Sequence, residues 1–350
     1  MNGEPPDPAG PTEQRAPLPL LARIEPAPGV SLVARVLRHQ DPTAPVAVVL
    51  PAMGASARFY LPFVRALHKE GLTVVTADQR GHGESVPRVA RGVRFGYREL
   101  LEEDLPALLE TVRRELPDRP VILVGHSLGG QLALLYAAHH PADVDAIALV
   151  ASGSVWYRGF EGPRALRNLV AGQLFAALAT VIGYWPGKRF GFGGTEATGV
   201  MRDWARQGRT GDYRPRGSTV DYERALRDLT HPVLAVGVAG DRLAPAGSRQ
   251  HLLAKVPRCA LEEWEYTREA ADGKPIDHFR WVRYHAGLCA RLARWVGESV
   301  KAGGTSTTDE LGTDPTDERG TDSTDERGTN PTDERGTNPT DERRRSTEDE

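Results

Sequence analysis

The sequence predicts an α/β fold, a mostly parallel central sheet flanked by helices, with a helical cap inserted late in the chain. Three observations predict it. Apolar runs of strand length, at residues 46–50, 73–77, 121–124, 146–150 and 233–238, alternate with stretches of helical spacing. One of them, VILV at 121–124, runs through a glycine-rich turn straight into a helix. The alternation then stops after Ser152 for nearly eighty residues and resumes beyond His231.

Taken in order, residues 1–20 are rich in proline and polar groups and are expected to be disordered, without a basic or apolar leader signal. Residues 21–26 and 30–38 read as two antiparallel strands around the turn Ala27-Pro28-Gly29. The strand at 46–50 ends in Pro51-Ala52-Met53-Gly54. Tyr60, Phe63, Val64 and Leu67 have helical spacing, and Gly71 closes that helix before the strand at 73–77. Between 97 and 116, Leu101, Leu105, Leu108, Leu109 and Val112 share one face. Pro106 would break a helix interior, so the main helix is expected to start with Asp104 as its N-cap.

The next stretch is Gly125-His126-Ser127-Leu128-Gly129. A strand that turns sharply into a helix needs glycine on both sides of the central residue, where side chains would collide with neighbouring backbone. Ser127 is thereby raised at the sheet's edge, in front of helix N–H groups that suit a developing negative oxygen. A serine hydroxyl needs a base, and the base needs an orienting acid. After the strand at 233–238 comes Gly240-Asp241-Arg242, and after a strand at 260–267 comes Ile276-Asp277-His278.

The Gly-x-Ser-x-Gly turn in this context resembles the nucleophile elbow of the α/β-hydrolase superfamily. Asp78-Gln79-Arg80-Gly81-His82-Gly83-Glu84-Ser85 resembles a turn of its lysophospholipase-like and monoglyceride-lipase-like members. With Pro51-Ala52-Met53-Gly54 and the cap stretch Gly183-Tyr184-Trp185-Pro186-Gly187-Lys188-Arg189, the arrangement is similar to bacterial hydrolases grouped with serine-aminopeptidase-like enzymes. The resemblance spans residues 21–300 and implies an α/β-hydrolase fold, with core at 21–151 and 232–300 and cap at 152–231.

It also implies the catalytic set Ser127, Asp241 and His278, in the order nucleophile, acid, base. The backbone N–H groups of Met53 and Leu128 would form the oxyanion hole. Tyr60, His126, Trp156 and Trp185 are the expected substrate contacts. His278 is expected to open the last helix; Asp277, His82 and His285 are weaker rivals. Arg80 and its glycines brace a tight turn or, less favoured, wall the active site. No cofactor or metal is expected, since the histidines form no ligand spacing.

The formal charge of −3 conceals an asymmetry: residues 304–350 carry 15 acidic and six basic side chains, leaving +6 for the rest. No basic stripe accompanies that balance, so nucleic acid is not an expected partner. Thr-Asp-Glu recurs every eight residues in residues 301–350, with almost nothing apolar to bury, so that segment should be a disordered acidic tail. Two cysteines, Cys259 and Cys289, are too few for a disulfide framework and fit reduced thiols in a cytoplasmic protein.

Eleven of the 23 aromatic residues fall between Ser152 and His231, which suits either an apolar substrate or packing of the cap on the core. Residues 169–185 are apolar but short for a membrane span, so they read as a cap helix that could touch a lipid surface transiently. The expected substrate is a small acyl compound, with hydrolysis of a carboxylic ester first. Acyl transfer, aminopeptidase action and a silent binding module are the alternatives. A peptidase would need an exposed cap carboxylate for an amino terminus, and Glu161, Glu196 and Asp203 are the candidates. Oligomeric state is not legible.

Overall fold

The computed structural model describes residues 16–305. The expectations for residues 1–15 and 306–350 lie outside the described residues. Strands β1 (Leu20–Ala27) and β2 (Val30–Leu37) form an antiparallel hairpin. They are followed by β3 (Val46–Leu50), helix α1 (Leu61–Lys69) and β4 (Thr73–Ala77). Helix α2 (Leu105–Glu115) leads to β5 (Val121–His126), α3 (Leu128–His139) and β6 (Ala146–Val150).

The inserted segment holds α4 (Pro163–Ile182), the short antiparallel pair β7 (Tyr184–Pro186) and β8 (Thr195–Ala197), and α5 (Thr198–Thr210). Helix α6 (Tyr222–Asp228), β9 (Pro232–Val238), α7 (Ala246–Leu253), β10 (Ala260–Tyr266) and α8 (Ala286–Thr305) complete the chain.

The eight-stranded sheet has the order β1-β2-β4-β3-β5-β6-β9-β10. Pairing is antiparallel through β2 and β4 and parallel beyond. Every residue of β3, β4, β5 and β6 is buried, as a strand covered on both faces requires. In β5, Val121 and Leu123 face a core shared with α2, α3 and α6, whereas Ile122 and Val124 face one shared with α1 and α8. Chain order departs from sheet order at β3, so strand ends open a crevice there, where α/β sheets place their ligands.

Four expectations are corrected. Residues 16–20 are not disordered: Leu18 is buried, its carbonyl accepts from Arg35, and the Pro19 carbonyl accepts from Val36. A proline-rich stretch has few donors of its own, but its carbonyls remain free for a neighbouring strand. Asp104 is not an N-cap. The helical path begins at Tyr97 and passes through a π-helical turn, Leu100–Asp104, which accommodates Pro106 at the start of α2. The Asp104 carboxylate instead takes the Arg80 guanidinium at 2.5 and 3.1 Å.

The cap does not extend to residue 231, because Tyr222 and Leu226 of α6 are buried in the core cluster that holds Leu132 and Leu135 of α3. That helix belongs to the core layer. His278 lies in a loop and does not open the last helix, which starts at Ala286.

Candidate active site

Ser127 sits between β5 and α3 with φ 53° and ψ −115°, a strained backbone for any residue but glycine. The crossing is so tight that a Cβ on Gly129 would collide with the Leu50 carbonyl oxygen, and one on Gly125 with the Gly130 backbone. Local sequence therefore dictates the elbow. Its hydroxyl lies 3.0 Å from His278 Nε2, and His278 Nδ1 lies 2.7 Å from Asp241 Oδ2.

Asp241 follows β9, and its other oxygen accepts from the N–H groups of Leu243 and Ala244 at 2.7 and 3.0 Å. One carboxylate thus folds its own loop and orients the imidazole. Asp277 acts only on its own turn, accepting from the N–H groups of Phe279 and Arg280 at 3.0 and 2.8 Å. His285 packs edge-on against Phe63, and His82 Nε2 meets Glu196 at 2.9 Å, so neither reaches Ser127.

The loop after β3 is pinned on both sides of Met53. Ala52 N–H donates to Tyr60 Oη at 2.9 Å and Gly54 N–H donates to Glu196 Oε1 at 2.9 Å. Of these three successive N–H groups, only that of Met53 has no partner among the described residues. Met53 and Leu128 both line the cavity in front of Ser127.

That cavity has a volume of about 530 Å³. Its aromatic walls are Phe59, Phe160, Phe175, Phe192, Trp204 and Phe279. Arg167 and Arg242 are the arginines on its lining, and no carboxylate is among the described lining residues.

The four expected substrate contacts are corrected by this arrangement. Tyr60 and His126 are buried beneath the cavity, joined to each other at 2.7 Å between Oη and Nδ1. Burial pushes the Tyr60 phenol well up, so it stays protonated. Burial, and then the charge of the neighbouring His278, hold His126 well below the usual imidazole range. The His126 and His278 rings are 4.9 Å apart, so the pair ties the loop of Met53 and the elbow to the ground under His278.

Trp185 is fully buried, donates to the Phe192 carbonyl at 2.9 Å and stacks on Phe175. Trp156 lies on His251 with ring centroids 4.2 Å apart. Trp185 supports the wall from behind, and neither tryptophan is on its surface. The residues that form that surface, Phe175, Phe192, Trp204 and the glycine loop at 191–194, were hidden in a segment whose periodicity does not reveal which face meets the sheet. Phe279, beside His278, was the one legible from adjacency.

Among the expected cap carboxylates, Glu196 and Asp203 are buried and Glu161 is exposed outside the cavity. Asp203 accepts from the N–H groups of Tyr97 and Arg216, at 2.9 and 3.1 Å. Arg80 is buried among Asp104, Glu103 and the Phe95 ring and does not line the cavity, so bracing is its role. Burial pushes Asp104 up to about 6 against the pull of Arg80. No cluster of three or more His, Cys, Asp or Glu side chains able to hold a metal occurs among the described residues.

The family described as serine aminopeptidase, S33, matches residues 41–187, which carry the Met53 loop, the Arg80 turn and the elbow. The chain has the α/β-hydrolase fold, and its residues 41–187 are similar to that family. The chain is 34% identical over 123 residues to the monoacylglycerol lipase of Mycolicibacterium smegmatis, covering 35% of this chain and 42% of that protein. It is 27% identical over 141 residues to the rat monoglyceride lipase, covering 40% of this chain and 45% of that one. The chain spans less than half the length of these curated relatives. An esterase from Exiguobacterium antarcticum superposes with a TM-score of 0.54 at 16% identity, over 80% of this chain and all of that one, which is likeness of fold.

Proposed function

We propose that this protein is a serine hydrolase of the α/β-hydrolase family that cleaves a carboxylic ester with an apolar acyl or alcohol part, through a Ser127–His278–Asp241 triad and an acyl-enzyme. The observation that carries the reading is the continuous relay from Asp241 to His278 to Ser127, 2.7 and 3.0 Å long, at the floor of an aromatic cavity. Asp241 holds the imidazole with Nε2 free to take the serine proton. Ser127 attacks the acyl carbonyl, and the N–H groups of Met53 and Leu128 receive the oxyanion, each such donor being worth about 3 kcal/mol. His278 then protonates the departing alkoxide, and water, deprotonated by the same histidine, releases the acid.

Ester is favoured over a peptide amino terminus because the described lining holds two guanidinium groups and no carboxylate to meet an ammonium group. The lipase names of the two relatives agree with an ester that has one long apolar arm.

The test is labelling of the purified protein by a fluorophosphonate, read by intact mass, beside Ser127→Ala and His278→Ala, followed by a p-nitrophenyl ester series of increasing acyl length. Labelling confined to the wild type and turnover of apolar esters are expected. A well-folded wild type that resists the probe would overturn the assignment.

A further inference from the structure

Helix α4 forms part of the cavity wall through Leu169, Gly172 and Phe175, yet most of its surface faces outward. It has 20 residues, and its most apolar 18-residue window has a mean hydropathy of 1.5 with only 17% buried. Leu166, Val170, Leu174 and Val181 are 65%, 48%, 62% and 74% exposed. At about 100° per residue these four fall within roughly 80° of arc, and the buried Gly172, Ala176 and Ala179 lie on the opposite side. The stripe runs about 22 Å at 1.5 Å per residue. Phe190, 55% exposed, lies just beyond its C-terminal end.

The charge around the stripe is predominantly positive. Arg158, Arg164 and Arg167 stand near its first end and Lys188 and Arg189 beyond its second, all exposed, with Glu161 the sole acidic side chain from 156 to 190. A flat apolar stripe rimmed by cations is the pattern of a helix that lies in the plane of an anionic bilayer surface, leucine and valine in the acyl boundary and guanidinium groups at the phosphates. The chain's own acidic segment could satisfy the charges but not the stripe, since Leu311 is the one aliphatic side chain from 306 to 350.

We infer that α4 docks this protein on anionic lipid surfaces. The same helix then has its inner face on the cavity and its outer face on the membrane. An amphiphile leaving the bilayer would meet Phe175 and Leu169 without crossing bulk water. The docking does not depend on the ester reading, and a Ser127→Ala protein should dock as the wild type does.

The experiment is flotation of the full chain with extruded vesicles of phosphatidylglycerol and phosphatidylcholine, at low and high salt. Expected are recovery with the phosphatidylglycerol vesicles, a several-fold lower bound fraction at high salt or on pure phosphatidylcholine, and a fall of tenfold or more in Val170→Ser/Leu174→Ser. Lys188→Gln/Arg189→Gln should weaken binding and flatten its salt dependence, with both double variants keeping the wild-type melting temperature. Absence of flotation, or flotation indifferent to these substitutions, would overturn the inference. So would a concentration-dependent dimer that Val170→Ser/Leu174→Ser dissolves, because the stripe would then be a contact between copies.

Discussion

Replacing Tyr60 with phenylalanine separates support from substrate contact. The ring is fully buried and its hydroxyl is the only part removed. That hydroxyl accepts the Ala52 N–H at 2.9 Å and bonds His126 Nδ1 at 2.7 Å, so two polar groups lose their partner in a space water does not reach. A buried polar group left unsatisfied costs about 1–3 kcal/mol, and some relaxation brings the pair to about 2–4 kcal/mol. At about 2–4 °C per kcal/mol for a domain of this size, the melting temperature should fall by roughly 4–16 °C. Ala52 directly precedes Met53, so the freed loop no longer fixes the oxyanion donor, and kcat on a short p-nitrophenyl ester should drop about tenfold, near 1.4 kcal/mol. KM should hardly change, since the phenol does not line the cavity. A raised KM at unchanged kcat would return Tyr60 to the substrate contacts and refute the argument. A melting temperature within about 1 °C of wild type would deny that the hydroxyl bears on the fold.

Two further substitutions discriminate in the same way. Asp241→Asn should lower kcat by about 10³–10⁴-fold, the scale known for losing a triad acid, whereas Asp277→Asn should be nearly neutral because an amide oxygen still accepts from Phe279 and Arg280; steady-state kinetics giving the reverse order would reassign the acid. His251, against Trp156 and Ser154 Oγ, is held down to about 4 by burial and by Lys255, so it is neutral in the fold. In the unfolded chain it protonates below about 6.5, so the unfolded state binds more protons and stability is lost as pH falls from 6.5 towards 4. Partial exposure reduces the effect to about 1–2 kcal/mol. The gap in melting temperature between wild type and His251→Gln should therefore shift against the wild type between pH 7 and pH 5, and a constant gap would contradict the burial of a neutral imidazole.

Chemistry that depends on neighbours in sequence was legible from the sequence alone. The β5 run is apolar throughout because both of its faces are covered, and two glycines flank Ser127 because side chains there would strike Leu50 and Gly130. Asp241 sits just after the end of β9 and His278 in the loop that follows β10, and parallel topology gathers such loops on one side, so their roles could be proposed before their distances were known. The tertiary structure decided what depends on facing. Tyr60, His126, Trp156 and Trp185 have the chemistry of substrate contacts, but one-dimensional order does not say whether an aromatic ring ends on a wall or behind it. The insertion is the extreme case. In α4 apolar residues occupy every side, so its periodicity is nearly silent, and only packing against Met201 and Trp185 shows which face is inner and which is left to a surface outside the protein. Glu196 and Asp203 read as exposed acids for the same reason: the backbone N–H groups of Gly54, Tyr97 and Arg216 that bury them come from segments remote in sequence or across a turn.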